Sequence, residues 1–541
     1  MKTAPLFIVL TLTCLAAAAR AAEPAIIPAP EKMTVHDGVF TLTADTPILV
    51  ESKSKATGAY LAERLRGSTG FPLRVKSSGK AAPGAILLST KDSDASLGAE
   101  GYELTVTPDS VVVRAPAEAG LFYGVQTFLQ LLPPEAFSPK PVSGVTWAAS
   151  CVEIRDQPRF AWRGMLLDVS RHFYTKAEVE KILDALALHK INTLHWHLVD
   201  DDGWRIQIKK YPRLTDVGAW RTNIGFNLKH DDSECYGPDG RYGGYYTQKD
   251  IREVVRYASE RHVTIVPEIE MPGHSSAALA AYPQFSCFGG PYSTDRVKGA
   301  SPGVYCAGND GSFVFLENVL KEVFALFPAK YIHVGGDEVP TSNWAKCPKC
   351  QARKETEHLQ NDRQLESYFI QRMEKFINSR GRSLIGWSEI REGGLAQNAT
   401  LMDWIGGATE GATAGHDVVM TPEADCYLDH YQSRNHSTEP RAIGGFLPLA
   451  KIYAFDPIPA KLAPEYQHHI LGAQGNLWTE FIPNLHHAEY MIFPRECALA
   501  EVTWSPKDAR NFDDFLKRLE IDERRLDALG INYRRNPLEI Q

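Results

Sequence analysis

Leu316-Glu317-Asn318-Val319-Leu320-Lys321-Glu322-Val323-Phe324-Ala325-Leu326-Phe327-Pro328-Ala329-Lys330-Tyr331-Ile332-His333-Val334-Gly335-Gly336-Asp337-Glu338 holds one complete unit of the fold. Leu316, Val319, Leu320 and Val323 recur at helical spacing, and Pro328 stops the helix. Residues 331–334 then form a short apolar strand. Two glycines follow, which let the backbone turn tightly, and two neighbouring carboxylates come directly after them.

The same rhythm recurs on both sides. Upstream, a Thr175-x-x-Glu178 capping box opens a helix whose apolar face is Val179, Ile182, Leu183 and Leu186, and a strand over 193–199 follows it. Thr247 precedes a helix carrying Ile251, Val254, Val255 and Ala258, then a strand over 263–269. Downstream, a helix over 362–379 leads into a strand over 383–386. Adding 163–167, 400–402, 418–421 and 470–474 gives eight strands, most of them separated by helical patterns. That count predicts an α/β chain built on a (β/α)8 TIM barrel, with its last three units weakly marked. A doubly wound open sheet is the alternative, but no Gly-rich phosphate loop follows any strand.

Ahead of the barrel, residues 22–155 mix strands and helices into a small α+β domain. The alternation over 102–106, a turn at Pro108-Asp109 and the return through Val111-Val112-Val113 predict a hairpin, and 119–132 predicts a helix stopped by Pro133-Pro134. The barrel is expected over 156–510, with a C-terminal helical extension over 511–541 packed on it. Residues 1–21 carry Lys2, an apolar run from Leu6 to Leu15 and Ala19-Arg20-Ala21, the pattern of a cleaved signal peptide. Export to a periplasmic or extracellular space is therefore expected. No later run reaches the roughly 18 apolar residues of a spanning helix, and Cys14 sits in a poor context for lipid attachment.

With 58 Lys and Arg against 66 Asp and Glu, the formal charge is −8. A mildly acidic chain without a basic run argues against nucleic acid as the partner. Beyond the signal lie Cys151, Cys235, Cys287, Cys306, Cys347, Cys350, Cys426 and Cys497. A Cys287–Cys306 pair would restrain the Gly/Pro/Ser-rich stretch between them. Cys347-Pro348-Lys349-Cys350 invites a zinc reading, but no second CxxC or nearby His pair completes four ligands, so a local disulfide or free thiols are expected.

Polar and aromatic residues gather just after the predicted strands: Asp168 and Arg171, Asp200 to Asp202, Glu268 to His274, Asp337-Glu338, Trp387, Trp404, Tyr427 with Asp429, and Trp478 with Glu480. Barrel active sites are built from those C-terminal loops, which converge on one mouth. An Asp-Glu pair alone is more often a solvated turn, and a single Trp more often core. Carboxylates and three Trp at the ends of separate strands reverse that balance and point to a sugar site. Repulsion within the Asp337-Glu338 pair is expected to raise one of the two pKa values. His195-Trp196-His197 raises a metal hypothesis, but both His lie inside the strand, which favours packed core.

Five ordered motifs resemble glycoside hydrolase family 20, the β-N-acetylhexosaminidases: Asp156-Gln157-Pro158-Arg159-Phe160-x-Trp162-Arg163-Gly164, Asp168-Val169-Ser170-Arg171-His172-Phe173, His195-Trp196-His197-Leu198-Val199-Asp200-Asp201, Met271-Pro272-Gly273-His274 and His333-Val334-Gly335-Gly336-Asp337-Glu338. The resemblance implies an exo-acting glycosidase that releases terminal β-linked N-acetylglucosamine or N-acetylgalactosamine through an oxazolinium intermediate, with no metal or organic cofactor. Glu338 is then the general acid, and Asp337 the residue that orients the substrate's acetamido group. Trp387, Trp404 and Trp478 would box the acetamido methyl, while Tyr427 would bond the acetamido oxygen. Arg171 would clamp the C3 and C4 hydroxyls, Asp429 and Glu480 would meet C4 and C6, and Asp200 with His274 would form a relay behind the acid. A chitinase-like endo-enzyme lacks its Asp-x-x-Asp-x-Asp-x-Glu run here. A binding-only barrel would have no need of the acid.

Overall fold

The computed structural model describes residues 23–222, 236–237, 239–295 and 303–535. The expected signal segment, Cys14 and Cys235 lie outside the described residues. The N-terminal unit is a seven-stranded mixed sheet in the order Lys32–Thr41, Ala148–Asp156, Tyr102–Val106, Ser110–Arg114, Ala85–Ser89, Pro47–Val50, Arg74–Ser77. The expected hairpin is there, with Leu104 opposite Val113, and its burial alternates as a half-buried pair requires. Helices Lys55–Thr69 and Glu118–Leu131 supply Leu61, Leu65, Phe122, Val125 and Leu129 to a core with Ile48, Val50, Ile86, Leu88, Leu104 and Val113.

The eight expected barrel strands all form. They are β1 (Trp162–Asp168), β2 (Thr193–His197), β3 (Thr264–Glu268), β4 (Tyr331–His333), β5 (Ser383–Trp387), β6 (Thr400–Asp403), β7 (Val418–Met420) and β8 (Ile470–Leu477). Each pairs in parallel with the next, and β8 closes on β1 through Gly472–Leu477 beside Trp162–Leu167. Trp162, Leu166, Val266, Ile385, Trp387, Met402 and Val419 fill the interior, so the barrel is packed rather than hollow. Strand β2 stops short of its expected end because Val199–Asp200 pairs with Gly203–Trp204 in a separate hairpin. The capping boxes at Thr175 and Thr247 are both complete. Between β6 and β8 the helices shrink to Ala408–Thr413, Glu423–Cys426 and Leu449–Ala454, which is why that region is faint in the sequence.

The final helix, Phe512–Leu529, bridges the two units. Phe515, Leu519 and Leu526 join the barrel core, while Arg525 donates to the carbonyls of Ala25 (2.6 Å) and Gln130 (2.8 Å). At the base of the barrel, Arg163 forks onto Glu100 at 2.8 and 2.9 Å. Lys190 meets Asp156 at 3.0 Å and the Tyr102 hydroxyl at 2.9 Å, all of it buried. No helix among the described residues is long and apolar enough to cross a membrane.

Candidate active site

Asp168, at the end of β1, organises the first wall. One carboxylate oxygen accepts from the backbone of Ser170 (2.8 Å) and Arg171 (3.1 Å), and the other from Thr479 after β8 (3.1 Å). The turn so fixed aims Arg171 inward, its guanidinium 2.8 Å from Asp200, 3.8 Å from Glu480 and 5.2 Å above the Trp478 ring. Burial opposes its charge, but Asp200, Glu480, Asp168 and Asp202 outweigh that and hold its pKa well above the ordinary value.

His274 and Glu338 both sit in the left-handed region, at φ +42° and +45°. For residues other than Gly such conformations cost energy and cluster at functional sites. His274 lies 3.4 Å from Asp200 and 3.3 Å from Asp201 on one side, and 3.6 Å from Asp337 and 3.5 Å from Glu338 on the other. Burial works against its protonation, yet Asp200 and Asp337 hold its pKa well above the usual range.

The carboxylate pair departs from expectation. Asp337 is the raised member, at about 7, and the main cause is burial, with Glu268, Glu389 and Asp200 adding to it. Glu338 is lowered, chiefly by its hydrogen bond to charged His274. The two residues differ because the glycine turn sends them to different places. Asp337 is half-buried against the barrel, with its buried Oδ1 lacking any hydrogen-bond partner, whereas the Glu338 side chain is 64% exposed at the mouth.

Beneath them lies a cluster whose partners cannot be read from sequence. Glu268, fully buried at the end of β3, is bonded by His197 and accepts from the Trp387 indole (2.9 Å), with His333 at 2.7 Å and His195 at 3.1 Å. His197 also reaches Asp200 at 3.0 Å. Burial would lower its pKa, but Glu268 and Asp200 carry it up to about 10. The His-x-His pair is therefore buried structure around a carboxylate. Glu270 is the opposite case: buried, without a hydrogen-bond partner on either oxygen, its pKa driven well up by desolvation and by Asp337 and Glu268.

Across the mouth, Trp387 and Trp478 meet at 5.6 Å and 48°, and Trp404 stacks on Tyr427 at 6.1 Å and 19°. Trp404 is anchored by its indole N–H to Glu389 at 2.9 Å. Tyr427 and Asp429 arrive on the long β7–β8 connection. Buried Arg495 holds that connection by donating to the carbonyls of His430 (3.0 Å) and Leu447 (3.1 Å). Asp429 Oδ1 is buried without a hydrogen-bond partner, and desolvation with Glu480 nearby raises its pKa well above the ordinary value.

These groups enclose a cavity of about 240 Å³ lined by Arg171, His274, Asp337, Glu338, Trp387, Trp404, Tyr427, Asp429, Trp478 and Glu480, together with Glu423, His430 and Ile443. Of the site residues expected from sequence, Asp200 alone is absent from the wall; it stands behind Arg171 and His274. Glu423, His430, Ile443, Glu389 and Arg495 carry no linear signal that would mark them, and Glu268 is marked only by its place at a strand end, not by its partners. A larger cavity of about 550 Å³, lined by Glu100, Tyr123, Trp162 and Tyr331 among others, lies at the opposite end of the barrel. It offers no comparable cluster of charge and aromatic rings.

Fold and mouth together place the chain among the barrel glycosidases. The model of glycosyl hydrolase family 20, catalytic domain, matches residues 160–507, and that of the family's domain 2 matches residues 23–157. A β-hexosaminidase of Porphyromonas gingivalis is 43% identical over 94% of this chain, which spans 64% of that relative's length. The solved family 20 β-N-acetylhexosaminidase of Streptomyces coelicolor superposes with a TM-score of 0.82 at 31% identity, covering 95% of this chain and 98% of its own. An exo β-N-acetylglucosaminidase from Vibrio harveyi, solved with N-acetylglucosamine, gives 0.82 at 34%, covering 95% and 79%. The chain belongs to glycosyl hydrolase family 20.

Proposed function

We propose that the chain is an exported β-N-acetylhexosaminidase that removes a terminal, non-reducing β-linked N-acetylglucosamine or N-acetylgalactosamine, with the sugar's own acetamido group as nucleophile. Substrate assistance is a recognised exception to the two-carboxylate scheme, and family 20 is one of its known cases. The observation that carries the reading here is Asp337. Its buried Oδ1 has no partner within the protein, and its pKa of about 7 allows the ionised form near neutrality.

An acetamido N–H donated to Asp337 turns the carbonyl oxygen toward the anomeric carbon. That oxygen bonds to C1 as the C1–O bond to the leaving group breaks, and Glu338 gives its proton to the departing oxygen. Positive charge spreads over the oxazolinium ring beside ionised Asp337, which is where a fixed carboxylate is most effective. Water, deprotonated by Glu338, then attacks C1 and restores the acetamide with configuration retained. Holding the nucleophile in the substrate turns an intermolecular attack into an intramolecular one, an advantage that reaches about 7–11 kcal/mol in well-oriented systems.

Glu338 must take up a proton to act, and the empty site favours its ionised form. A sugar that covers the mouth removes water from this exposed side chain, which raises its pKa. Trp387, Trp404 and Trp478 would surround the acetamido methyl, and Tyr427 would donate to its oxygen. Arg171 would clamp the C3 and C4 hydroxyls. Asp429 and Glu480 would meet C4 and C6, where the unpartnered Oδ1 of Asp429 awaits a hydroxyl. The cavity of about 240 Å³ at the mouth is where the terminal sugar would sit.

Glu338→Gln and Asp337→Asn test these roles. Each is expected to lower turnover on an N-acetylhexosaminide by about 10²–10⁴-fold while the melting temperature stays near that of the parent. Full activity in either variant would overturn the role assigned to that residue, and release of internal fragments from long chitin would overturn the exo assignment.

A further inference from the structure

We propose that Cys287, Cys306, Cys347 and Cys350 bind one structural zinc ion through four thiolates. The Cys-Pro-Lys-Cys segment lacks local partners in the sequence, but folding brings them from far away. Cys306 Sγ lies 3.7 Å from Cys347 and 3.6 Å from Cys350, and Cys287 Sγ lies 3.9 Å from Cys350, across separations of 41, 44 and 63 residues. All four sulfurs fall within 4.8 Å of one another. Four thiolates at about 2.3 Å from a zinc ion stand about 3.8 Å apart at the corners of a tetrahedron. The observed separations match that edge, and all four cysteines are free thiols, with no Cys287–Cys306 disulfide between them.

The surroundings fit a closed, buried site. Cys306, Cys347 and Cys350 are buried and Cys287 is half-buried. Pro348 opens the helix Pro348–Thr356, which places Cys350 in its first turn. Gly308 lies so close to the Lys349–Cys350 backbone that a Cβ there would come within 2.2 Å of the Lys349 carbonyl. Four protein ligands leave no open position, so the ion would be structural and take no part in the hydrolysis.

The cluster also sits where a clip is useful. Tyr305, next to Cys306, donates its N–H to Pro272 at 2.9 Å and accepts from the Trp344 indole at 2.9 Å. Pro272 belongs to the loop carrying His274, and Trp344 to the segment following Glu338. The ion would join the β3–α and β4–α loops just behind the acid.

Metal analysis of the intact, unmutated protein, prepared with zinc and dialysed against a weak chelator, tests the proposal. About one equivalent of zinc per chain is expected, falling below about a tenth in Cys306→Ser and Cys350→Ser. Cobalt exchanged into the unmutated protein should show strong thiolate-to-metal charge transfer and tetrahedral absorption, which requires no variant to fold. The His189, Cys497 and Asp522 group, the other cluster that includes a thiol among the described residues, could supply only one sulfur and would give a weaker, different spectrum. Disulfides in the intact mass, each lighter by two hydrogens, would overturn the proposal. So would iron in place of zinc, or four free thiols that take up no zinc or cobalt.

Discussion

At the residue scale, Asp337 and Glu338 are neighbours in sequence and opposites in environment, and that difference makes a pH prediction. In the free enzyme the pair holds one proton over the working range, mostly on Asp337, while catalysis needs it on Glu338. Losing that proton ends activity, so kcat/KM should fall as pH rises through about 7, the value of Asp337. Asp337→Asn removes the raised group, and the falling limb should move to lower pH because Glu338 alone then sets it, with its lowered value. An unmoved limb in that variant would assign it to another group. The pair was legible in the sequence because a Gly-Gly turn after a strand delivers its next residues to the mouth. The direction of the shifts was not, since it depends on how deeply each side chain lies and on the charge of His274.

At the element scale, the glycine turn after β4 depends on space. A Cβ on Gly335 would fall 1.7 Å from Glu270 Oε2, at φ +68°. Gly335→Ala should therefore destabilise the protein by on the order of 3 kcal/mol or more, read as a lowered melting temperature with activity lost in parallel. The two buried glutamates at β3 should respond in opposite ways. Glu268→Gln removes the charge that His197 requires, and breaking such a buried pair costs about 3–5 kcal/mol. Glu270→Gln replaces a carboxyl that burial, Asp337 and Glu268 drive toward its neutral form with a neutral group of similar shape, and both stability and activity should stay near the parent. Equal losses in thermal unfolding would contradict the assigned charges. The strands themselves were legible because apolar runs bounded by helix periodicity and stop signals survive in the sequence. Glu389 and Arg495 were not, nor were the partners of Glu268, because a charged residue in a strand or helix reads as a solvated face until the tertiary packing buries it. The Cys347-x-x-Cys350 pair was visible, but its other two thiols were not, because Cys287 and Cys306 come from a distant loop at no recognisable spacing.

At the scale of the whole molecule, the N-terminal sheet, the barrel base and the last helix form a continuous contact. Lys190 and Asp156 are both buried within it, 3.0 Å apart. Lys190→Met leaves Asp156 buried without its cation and should cost about 3–5 kcal/mol in chemical unfolding, while kcat on an aryl glycoside is unchanged because the change lies at the far end of the barrel. This contact brings distant charges together, so the sequence yields two domains and an order but not how they dock. The central claim concerns the nucleophile, and one comparison addresses it: the rate of nitrophenol release from a β-N-acetylglucosaminide and from the matching β-glucoside, which differs by carrying a hydroxyl in place of the acetamide. Hydrolysis confined to the first is the predicted result, since without the acetamide neither Asp337 nor the tryptophan walls have anything to position. Comparable rates on both would mean that an enzyme side chain attacks the sugar, and substrate assistance would be wrong.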